Sequence, residues 1–434
     1  MDSSSSEVKM ISECFVKPKT LPEKWKEPYH ITPFENMMLS VHYIQKGLLF
    51  LKPSFSESDD AIKPREFMET LLQKLKDSLA TTLSPPGAGF IYSQSDLSVS
   101  DIVGSKYVPL VVQSFFDHHK ALNLDGYTMS LVSVKVTELV DGVFIGLSMN
   151  HSIGDGSSFW QFFNSLSDIF NSSQEETIDN NNNSLFCLKN PPIFRQVSGP
   201  TYSLPFSKPD DSMSRLEHPV LKQRMFHFSS ETVRLLKSRA NQECGTTKIS
   251  SFQSLAAFIW RSITRARKLL NDQETTCRFA AGNRSRMNPP LPTNYFGVYI
   301  SIAQATTKTG DLLENELGLA ALKLHQAVTE HTGEKIIAEI DRWFNSPSSL
   351  DDFFSSNIVH MGSSPRFNKY GCEFGMGKAV AVRSGYGGKY DGKVSAYPGR
   401  EGDGSIDLEV CLLPEFMDAL ESDQEFMSLV SSSS

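Results

Sequence analysis

The sequence predicts a protein of the mixed α/β (α+β) class that is divided into two halves of similar size. Segments with apolar residues at alternate positions predict strands, and segments with apolar residues at helical spacing predict helices. A polar, Pro-rich segment near the middle of the chain separates the two halves. Because strands and helices occur on both sides of that segment, we expect mixed sheets flanked by helices in each half.

Composition narrows the class of protein further. The chain has 434 residues, of which 39% are hydrophobic, so it is long and apolar enough for packed cores. Its formal charge of −8 argues against nucleic acid or an anionic membrane as a partner. No apolar segment approaches the roughly 20 residues of a membrane span. The start of the chain has no secretory signal pattern, and the six scattered cysteines are typical of free thiols. We therefore expect a cytoplasmic (cytosolic) protein.

The first half contains a predicted β-hairpin followed by a helix. Valines alternate with polar residues over 129–139, the pair Asp141-Gly142 follows, and an apolar segment covers 143–149. Two such segments around Asp-Gly are a strong local signal of a hairpin. Apolar residues at helical spacing over 157–170 predict a helix, for which Ser157 or Ser158 can supply the N-cap.

The central segment suggests a domain boundary. Residues 171–186 are rich in Asn, Ser and Glu, and residues 191–217 contain five prolines amid Ser and Gly. A stretch of this composition does not sustain a buried element. We predict an N-terminal domain over 1–185, a crossover linker over 186–222 and a C-terminal domain over 223–434.

The second half is predicted to contain several helices and then two strands. The serine pairs 229–230 and 250–251 each precede apolar residues at helical spacing, so each pair is expected to begin a helix. Residues 311–331 and 334–344 also have a helical pattern, and 390–413 contains two segments with the pattern of strands.

The strongest candidate for chemistry is the segment that begins with His151 and continues Ser-Ile-Gly to Asp155 and Gly156. His151 has the same strand parity as the apolar residues at alternate positions over 143–149, so it follows one buried face of the hairpin. The end of a strand before a helix is a common place for catalytic groups, and imidazole accepts a proton near neutral pH.

Two other interpretations of this segment remain open at this point. His151 can be a residue that closes the strand through a local hydrogen bond, without any catalytic role. A metal site is less favoured, because His and Asp four residues apart share a face only on a helix, and Gly154 lies between them.

Two further segments carry weaker signals. The segment 373–378 reads Glu-Phe-Gly-Met-Gly-Lys, and its two glycines predict a tight loop. Backbone N–H groups in such a loop can contact a phosphate or a carbonyl. Many loops of this kind are, however, only turns. Arg284 and Arg286 precede a Pro-rich loop. They are either two solvated side chains, or one of them forms an ion pair with a buried Asp155, because an unpaired buried carboxylate is costly.

Taken together and in this order, these segments resemble the plant BAHD acyltransferases, which carry an HXXXD motif and move acyl groups from coenzyme A thioesters to alcohols or amines. The resemblance covers nearly the whole chain. The matching segments are His151-x-x-x-Asp155-Gly156, Arg284-x-Arg286 with Tyr295-Phe296-Gly297, the Phe374-Gly375 loop, and the flanking segments 43–50, 250–253, 260–261, 364–367 and 397–401.

This resemblance implies two chloramphenicol-acetyltransferase-like domains, with the active site in a channel at their interface. Acyl-CoA would be the co-substrate, entering from one side, and the acceptor, an alcohol or amine of plant specialised metabolism, would enter from the other. No permanently bound cofactor and no metal is implied, and relatives are usually monomers. The implied roles are a general base (His151), support of the catalytic loop (Asp155, Gly156 and Arg284), and a structural loop on the coenzyme side (Phe374, Gly375, Met376 and Gly377).

The sequence departs from the family pattern in two places. The family loop reads Asp-Phe-Gly-Trp-Gly, whereas Glu373 and Met376 replace its Asp and Trp here. If the indole N–H stabilises the oxyanion near the thioester, its loss would slow catalysis by about 10²-fold; alternatively, Met376 reshapes the pocket. Between Ser84 and Gly87 the chain lacks a Tyr-Pro-Leu-Ala-Gly-Arg-Leu-type strand and a further strand that relatives carry. We expect this gap to leave unpaired backbone groups and an exposed apolar face in the N-terminal domain, and to impair stability.

Two functions therefore follow from the sequence. The first is an active acyl-CoA-dependent O- or N-acyltransferase. The second is a catalytically impaired paralogue that binds coenzyme A or a metabolite without turnover. A lyase or hydrolase that uses the same histidine is a third and weaker possibility.

Overall fold

The structure, a computed structural model, describes residues 7–19, 31–54, 62–83, 86–172, 193–194, 219–345 and 355–431. The strands in these ranges are β1 Lys9–Val16, β2 Ile44–Leu51, β3 Ala88–Gln94, β4 Val132–Glu138, β5 Gly142–Met149, β6 Ile193–Phe194, β7 Lys222–Phe228, β8 Glu274–Gly282, β9 Tyr295–Phe296, β10 Ile300–Lys308, β11 Ile358–Gly362, β12 Ala381–Ser384, β13 Lys393–Pro398 and β14 Ile406–Leu412. The helices are α1 Pro33–Met37, α2 Ile62–Thr82, α3 Val99–Val103, α4 Gly156–Ser172, α5 Ser230–Glu243, α6 Ser251–Ala266, α7 Thr309–Glu314, α8 Leu317–Thr329, α9 Gly333–Asn345, α10 Pro414–Ser422 and α11 Gln424–Leu429.

The first sheet has six strands in the order β1-β3-β4-β5-β2-β12. Its β3–β4 pair is parallel and the remaining neighbours are antiparallel, so the sheet is mixed. The predicted hairpin is confirmed as β4 and β5, which pair from Val132 opposite Met149 to Glu138 opposite Val143. The alternating valines of β4 and the odd-numbered apolar residues of β5 face one core, as their parity predicts.

Two helices cover that face of the first sheet. Leucines three and four residues apart on α2 and the aromatic residues of α4 pack into a single core with β2, β3, β4 and β5. A second apolar cluster, which includes Phe115, Phe116 and Phe144, covers the opposite face. Since both faces are covered, β5 is buried along its whole length.

The second sheet has six strands in the order β10-β8-β11-β13-β14-β7. Strand β11 is parallel to both of its neighbours, β8 and β13, and the other pairs are antiparallel. Helices α5, α6, α8, α10 and α11 contribute apolar side chains to one core on this sheet. The mixed α/β class with two mixed sheets flanked by helices is therefore confirmed.

Local capping explains where several helices begin. Ser250 accepts a hydrogen bond from the Gln253 backbone N–H at 3.2 Å, and the Gln253 side chain accepts one from Ser250 at 2.8 Å, which is a capping box at the start of α6. Ser229 caps α5, as predicted. The predicted serine caps of α4 are wrong: Asp155 Oδ1 accepts hydrogen bonds from the backbone N–H groups of both Ser157 and Ser158.

The helical pattern predicted over 311–331 is interrupted in the structure. Helix α7 ends at Glu314 and α8 begins at Leu317. The Arg261 guanidinium donates to the carbonyl oxygens of Leu312 and Asn315, which satisfies acceptors at the end of α7 and stabilises the break.

The gap between Ser84 and Gly87 does not leave the predicted unpaired strand. Strand β3 pairs on one side with β1, antiparallel, and on the other with β4, so that prediction is wrong. The exposed apolar surface lies on β1 instead, where Met10, Ile11 and Phe15 are exposed. The outer strand β1 thus protects β3 and is itself the edge of the sheet.

The sheets do not follow the two halves of the chain strictly. Strand β12 belongs to the range predicted as the C-terminal domain, yet it pairs with β2 in the first sheet, with Ala381 opposite Leu49. Most of the predicted linker over 186–222 lies outside the described residues. None of the described helices combines the length and apolarity that a membrane span requires.

Candidate active site between the two sheets

His151 lies in a turn between β5 and α4. The Asn123 side-chain oxygen accepts a hydrogen bond from the His151 backbone N–H at 2.6 Å, and the Asn150 side chain donates to the Asn123 carbonyl at 2.7 Å. Both asparagines are buried. These two bonds hold the backbone of the turn in place, and sequence patterns alone did not identify either asparagine.

His151 lines a cavity and is half-buried. Burial lowers its pKa below the usual value; the Asp155 carboxylate partly offsets this, and the Lys393 ammonium lowers the pKa further. Its Nδ1 atom is buried and accepts no hydrogen bond of good geometry from a described residue. At neutral pH the ring is therefore uncharged and able to accept a proton.

Asp155 is fully buried and is held by several donors. Arg284 forms a bidentate pair with it, with Nη1–Oδ2 at 2.6 Å and Nη2–Oδ1 at 3.0 Å. The backbone N–H of Tyr299 also donates to Oδ2, at 3.0 Å, in addition to the two N–H groups of α4. The carboxylate is thus satisfied on both oxygens and lies outside the set of residues that line the cavity.

Ser158 links the same region a second time. Its Oγ donates to the Gly297 carbonyl at 2.9 Å and accepts from the Gly297 N–H at 3.0 Å, while Arg284 donates to both Ser158 and Gly297. A Cβ on Gly156 would lie 3.2 Å from the Phe367 ring, so a side chain there would press on the cavity wall. The turn is therefore clamped between α4 and the segment around β9.

The loop over 373–378 lies away from the cavity. Phe374 is buried and its ring centroid lies 5.7 Å from that of Phe163 and 5.6 Å from that of Phe170, both on α4. The Met376 side chain packs against the first core. None of Phe374, Gly375, Met376 or Gly377 lines the cavity.

The cavity has a volume of about 690 Å³ and lies between the two sheets. Its lining comes from both halves of the chain, with β2 and α4 on one side and β8, β10, β11, β13 and β14 on the other. This volume is typical of a pocket for a small molecule. Among the described residues, no cluster of His, Cys, Asp and Glu is arranged to bind a metal ion.

Comparison with known proteins agrees with this architecture. The model of the Transferase family matches residues 71–427. An uncharacterised acetyltransferase of Arabidopsis thaliana is 33% identical over 448 residues, which cover 97% of this chain and 99% of that protein. The BAHD acyltransferase DCR of Arabidopsis thaliana is 30% identical, covering 97% of this chain and 92% of its own. The chain belongs to the BAHD acyltransferase family.

Solved structures share this fold at much lower identity. The crystal structure of F. graminearum TRI101, complexed with coenzyme A and deoxynivalenol, has a TM-score of 0.66 and 17% identity, and covers 93% of this chain and 98% of its own. Acyl-CoA is the co-substrate of BAHD enzymes, so membership of the family supports acyl-CoA-dependent acyl transfer as the class of reaction.

Proposed function

We propose that this protein transfers an acyl group from an acyl-CoA to a hydroxyl or amine of a plant specialised metabolite, with His151 as the general base. The observation that carries the proposal is a histidine in a hydrogen-bonded turn on the wall of a cavity between the two sheets. Burial lowers its pKa, which favours the uncharged form that a general base needs. The TRI101 structure, which holds coenzyme A together with a small molecule in the same fold, gives further support.

The proposed reaction needs one proton acceptor and no covalent enzyme intermediate. His151 takes the proton from the acceptor O–H or N–H as the oxygen or nitrogen attacks the thioester carbonyl carbon. The C–S bond then breaks, and the protonated His151 returns its proton to the departing coenzyme A sulfur. Positioned base assistance of this kind contributes about 10²–10⁴-fold to the rate.

Asp155, Gly156 and Arg284 have positioning roles in this proposal. The bidentate pair holds the start of α4 against the segment around β9, and the turn that carries His151 lies directly before it. We propose that the loop of Phe374, Gly375, Met376 and Gly377 is structural, since its aromatic contacts are with α4.

The alternative is a protein that binds coenzyme A or a metabolite without turnover. The two sequence departures that suggest it give it little support: Met376 packs on the first core and does not line the cavity, and β1 pairs with the strand beside the gap. We therefore favour an active enzyme. We also propose a cytosolic monomer; the five cysteines within the described residues are free thiols, as a reducing compartment favours.

The test is release of free coenzyme A thiol from acyl-CoA in the presence of acceptor panels of alcohols and amines, with product mass measured. His151→Ala is expected to lower the rate by at least 10²-fold, because the base is lost. His227→Ala is the control, since His227 pairs with Asp407 on the far edge of the second sheet and does not line the cavity. No release from a folded chain that binds coenzyme A would favour the non-catalytic alternative.

A further inference from the structure

The second sheet turns a polar face towards the cavity. Val394 and Ala396 of β13 and Leu408 and Val410 of β14 point into the second core. The residues between them face the cavity side, where the lining includes Lys393, Ser395, Glu409 and Cys411. This alternation follows the two-residue period of a strand, so one face of the sheet builds the core and the other builds the pocket.

The cavity lining carries more positive than negative charge. Glu409 is its acidic residue, and this carboxylate is already engaged: Lys389 Nζ lies 3.1 Å from Oε1, and the Tyr397 hydroxyl donates to Oε2 at 2.7 Å. Lys46 donates to the same Tyr397 hydroxyl at 2.8 Å. One carboxylate therefore balances one of these lysines and leaves the remaining positive charge of the pocket uncompensated.

The two arginines of the lining add positive charge to this balance. Arg286 donates to the backbone carbonyls of Val328 and His331, at 3.0 and 2.8 Å, and Arg366 is exposed to solvent. Neither one contributes a negative charge, so the lining remains net positive.

Lys393 stands out among these lysines. No described residue accepts a hydrogen bond from its Nζ or forms an ion pair with it, and its contact is with the Tyr390 ring, 5.7 Å from Nζ to the centroid. The ammonium lies over Gly362, where a Cβ would come within 2.3 Å of Nζ. The absence of a side chain at Gly362 therefore leaves space for the Lys393 ammonium to reach the pocket. The charge of Lys393 is close enough to His151 to lower the pKa of that histidine.

Lys393 is half-buried in the cavity wall. An ammonium held there without an ion-pair partner is unfavourable, and a bound anion removes the penalty. Burial lowers the pKa of Lys393 to about 8, so the charged form still predominates at pH 7. The rest of the lining includes aromatic and aliphatic side chains, among them Phe159, Trp160 and Ile302. The pocket thus matches a small, mostly apolar molecule that carries one anionic group.

The phosphates of coenzyme A do not fit the position beside His151. The whole pantetheine arm separates them from the thioester, and the reacting carbonyl must lie next to the base. An anion at Lys393 therefore belongs to the acceptor or to the acyl group. We propose that Lys393 binds a carboxylate on one of these two substrates and so makes this a transferase for acidic substrates; the proposal rests on the acyl transfer proposed above.

The test compares acids with uncharged partners of the same shape. In the acceptor arm, hydroxy acids and amino acids are each paired with their methyl esters, with acetyl-CoA as donor. In the donor arm, malonyl-CoA is paired with acetyl-CoA and glutaryl-CoA with butyryl-CoA, with uncharged alcohols and amines as acceptors. Two quantities are measured. The first is kcat/KM for the release of coenzyme A. The second is the shift in melting temperature of the protein at one fixed concentration, about ten millimolar, of each acid or its ester.

We expect a preference for the acid of about tenfold to a hundredfold in one arm, as a charge-assisted hydrogen bond predicts. Lys393→Met should remove the preference mainly through KM, and Lys393→Arg should retain part of it. Lys335→Met is the control, because Lys335 is an exposed lysine on α9. An acid preference confined to the acceptor arm identifies a carboxylated acceptor, and one confined to the donor arm identifies a carboxylated acyl group.

Equal treatment of acids and uncharged partners by the wild-type chain would overturn the proposal, as would a preference that survives in Lys393→Met. If the protein turns over none of these substrates, the proposed acyl transfer fails, and the melting temperatures still test the carboxylate site. A higher melting temperature with acids in the wild-type chain but not in Lys393→Met supports that site. Turnover that His151→Ala abolishes, without any acid preference, leaves the acyl transfer standing and overturns the carboxylate site alone.

Discussion

At the scale of single residues, the spacing from His151 to Asp155 has a direct structural reason. Three residues lie between His151, the second residue after β5, and Asp155, which acts at once as the N-cap of α4 and as the partner of Arg284. A Cβ on Gly154 would lie 3.0 Å from that of Ser158, so the turn between them is tightly packed. The motif is thus as much a folding signal as a chemical one.

Replacing Arg284 tests this anchoring directly. Arg284→Met leaves the Asp155 carboxylate buried without its ion-pair partner, and loss of one member of such a pair costs about 3–5 kcal/mol. We expect a clearly lower urea midpoint and a lower rate of coenzyme A release. Arg342→Met on α9 is the matched control, since Arg342 is exposed. Equal midpoints for Arg284→Met and the control would show that the pair does not stabilise the fold.

The pH profile tests the protonation state of His151. A general base must be uncharged, and burial places the pKa of His151 below its usual value of 6.5. Activity should therefore persist as the pH falls through 6.5 and decline only when His151 becomes protonated at lower pH. Lys393→Met removes a positive charge that lowers this pKa, so the acidic limb should move to higher pH in that variant.

The measurement is kcat/KM against pH for both proteins, with uncharged acceptors and donors so that the carboxylate site does not contribute. Lys335→Met should give the wild-type profile. An acidic limb above pH 6.5 in the wild-type chain, or no upward movement in Lys393→Met, would contradict the assignment of the limb to His151.

At the scale of elements, β1 compensates for the short segment between α2 and β3. It pairs with β3 from Lys9 opposite Gln94 to Val16 opposite Ala88, and its own side chains are mostly exposed. A Cβ on Gly87 would lie 2.4 Å from the Val16 carbonyl oxygen, and Gly87 has a φ of +123°, so glycine is needed where the chain enters β3.

Deletion of residues 1–18 should therefore destabilise the first sheet. The backbone groups of β3 that pair with β1 would become an open edge, which favours association between chains. We expect a lower urea midpoint and increased light scattering at the same protein concentration. Deletion of residues 1–6, which stops before β1, is the control. If both deletions have the midpoint of the full chain, β1 is dispensable and the first sheet is stable without it.

The elements that the sequence predicted correctly are those with local signals. The β4–β5 hairpin has an Asp-Gly turn, and α5 and α6 have serine caps, so a few adjacent residues determine each of them. Strand β12 is different, because its register of Ala381 opposite Leu49 joins segments more than 300 residues apart in the chain. No local pattern contains that information.

The same distinction applies to the site. The pairing of Asp155 with Arg284 was predicted because a buried carboxylate needs a cation and the family resemblance supplied one. Asn123 and Lys393 were not identified, because they reach His151 only through tertiary packing. The alternation of Lys393 and Ser395 with Val394 and Ala396 along β13 was a usable signal: polar residues at every second position of an apolar strand mark a face that does not lie in the apolar core.

At the scale of the whole molecule, the two sheets are bound to each other around the cavity. Cys372, Phe374 and Val382, from late in the chain, lie in the core of the first sheet. The side chains of Asn164 on α4 and Asn368 are hydrogen-bonded at 3.1 Å. The cavity walls therefore depend on both sheets keeping their relative position.

These contacts predict that the two cores unfold together. Trp160 lies in the core of the first sheet and Trp260 in that of the second. In a background in which Trp25 and Trp343 are also replaced by Phe, Trp260→Phe leaves Trp160 to report on the first core, and Trp160→Phe leaves Trp260 to report on the second. Within each variant, the urea midpoint from tryptophan fluorescence should coincide with the midpoint from far-ultraviolet circular dichroism, which reports on both halves. Comparing the two probes within one variant cancels any change in stability caused by the substitution. If fluorescence precedes the dichroism transition in one variant and follows it in the other, the sheets unfold separately, and the strand β12 does not couple them.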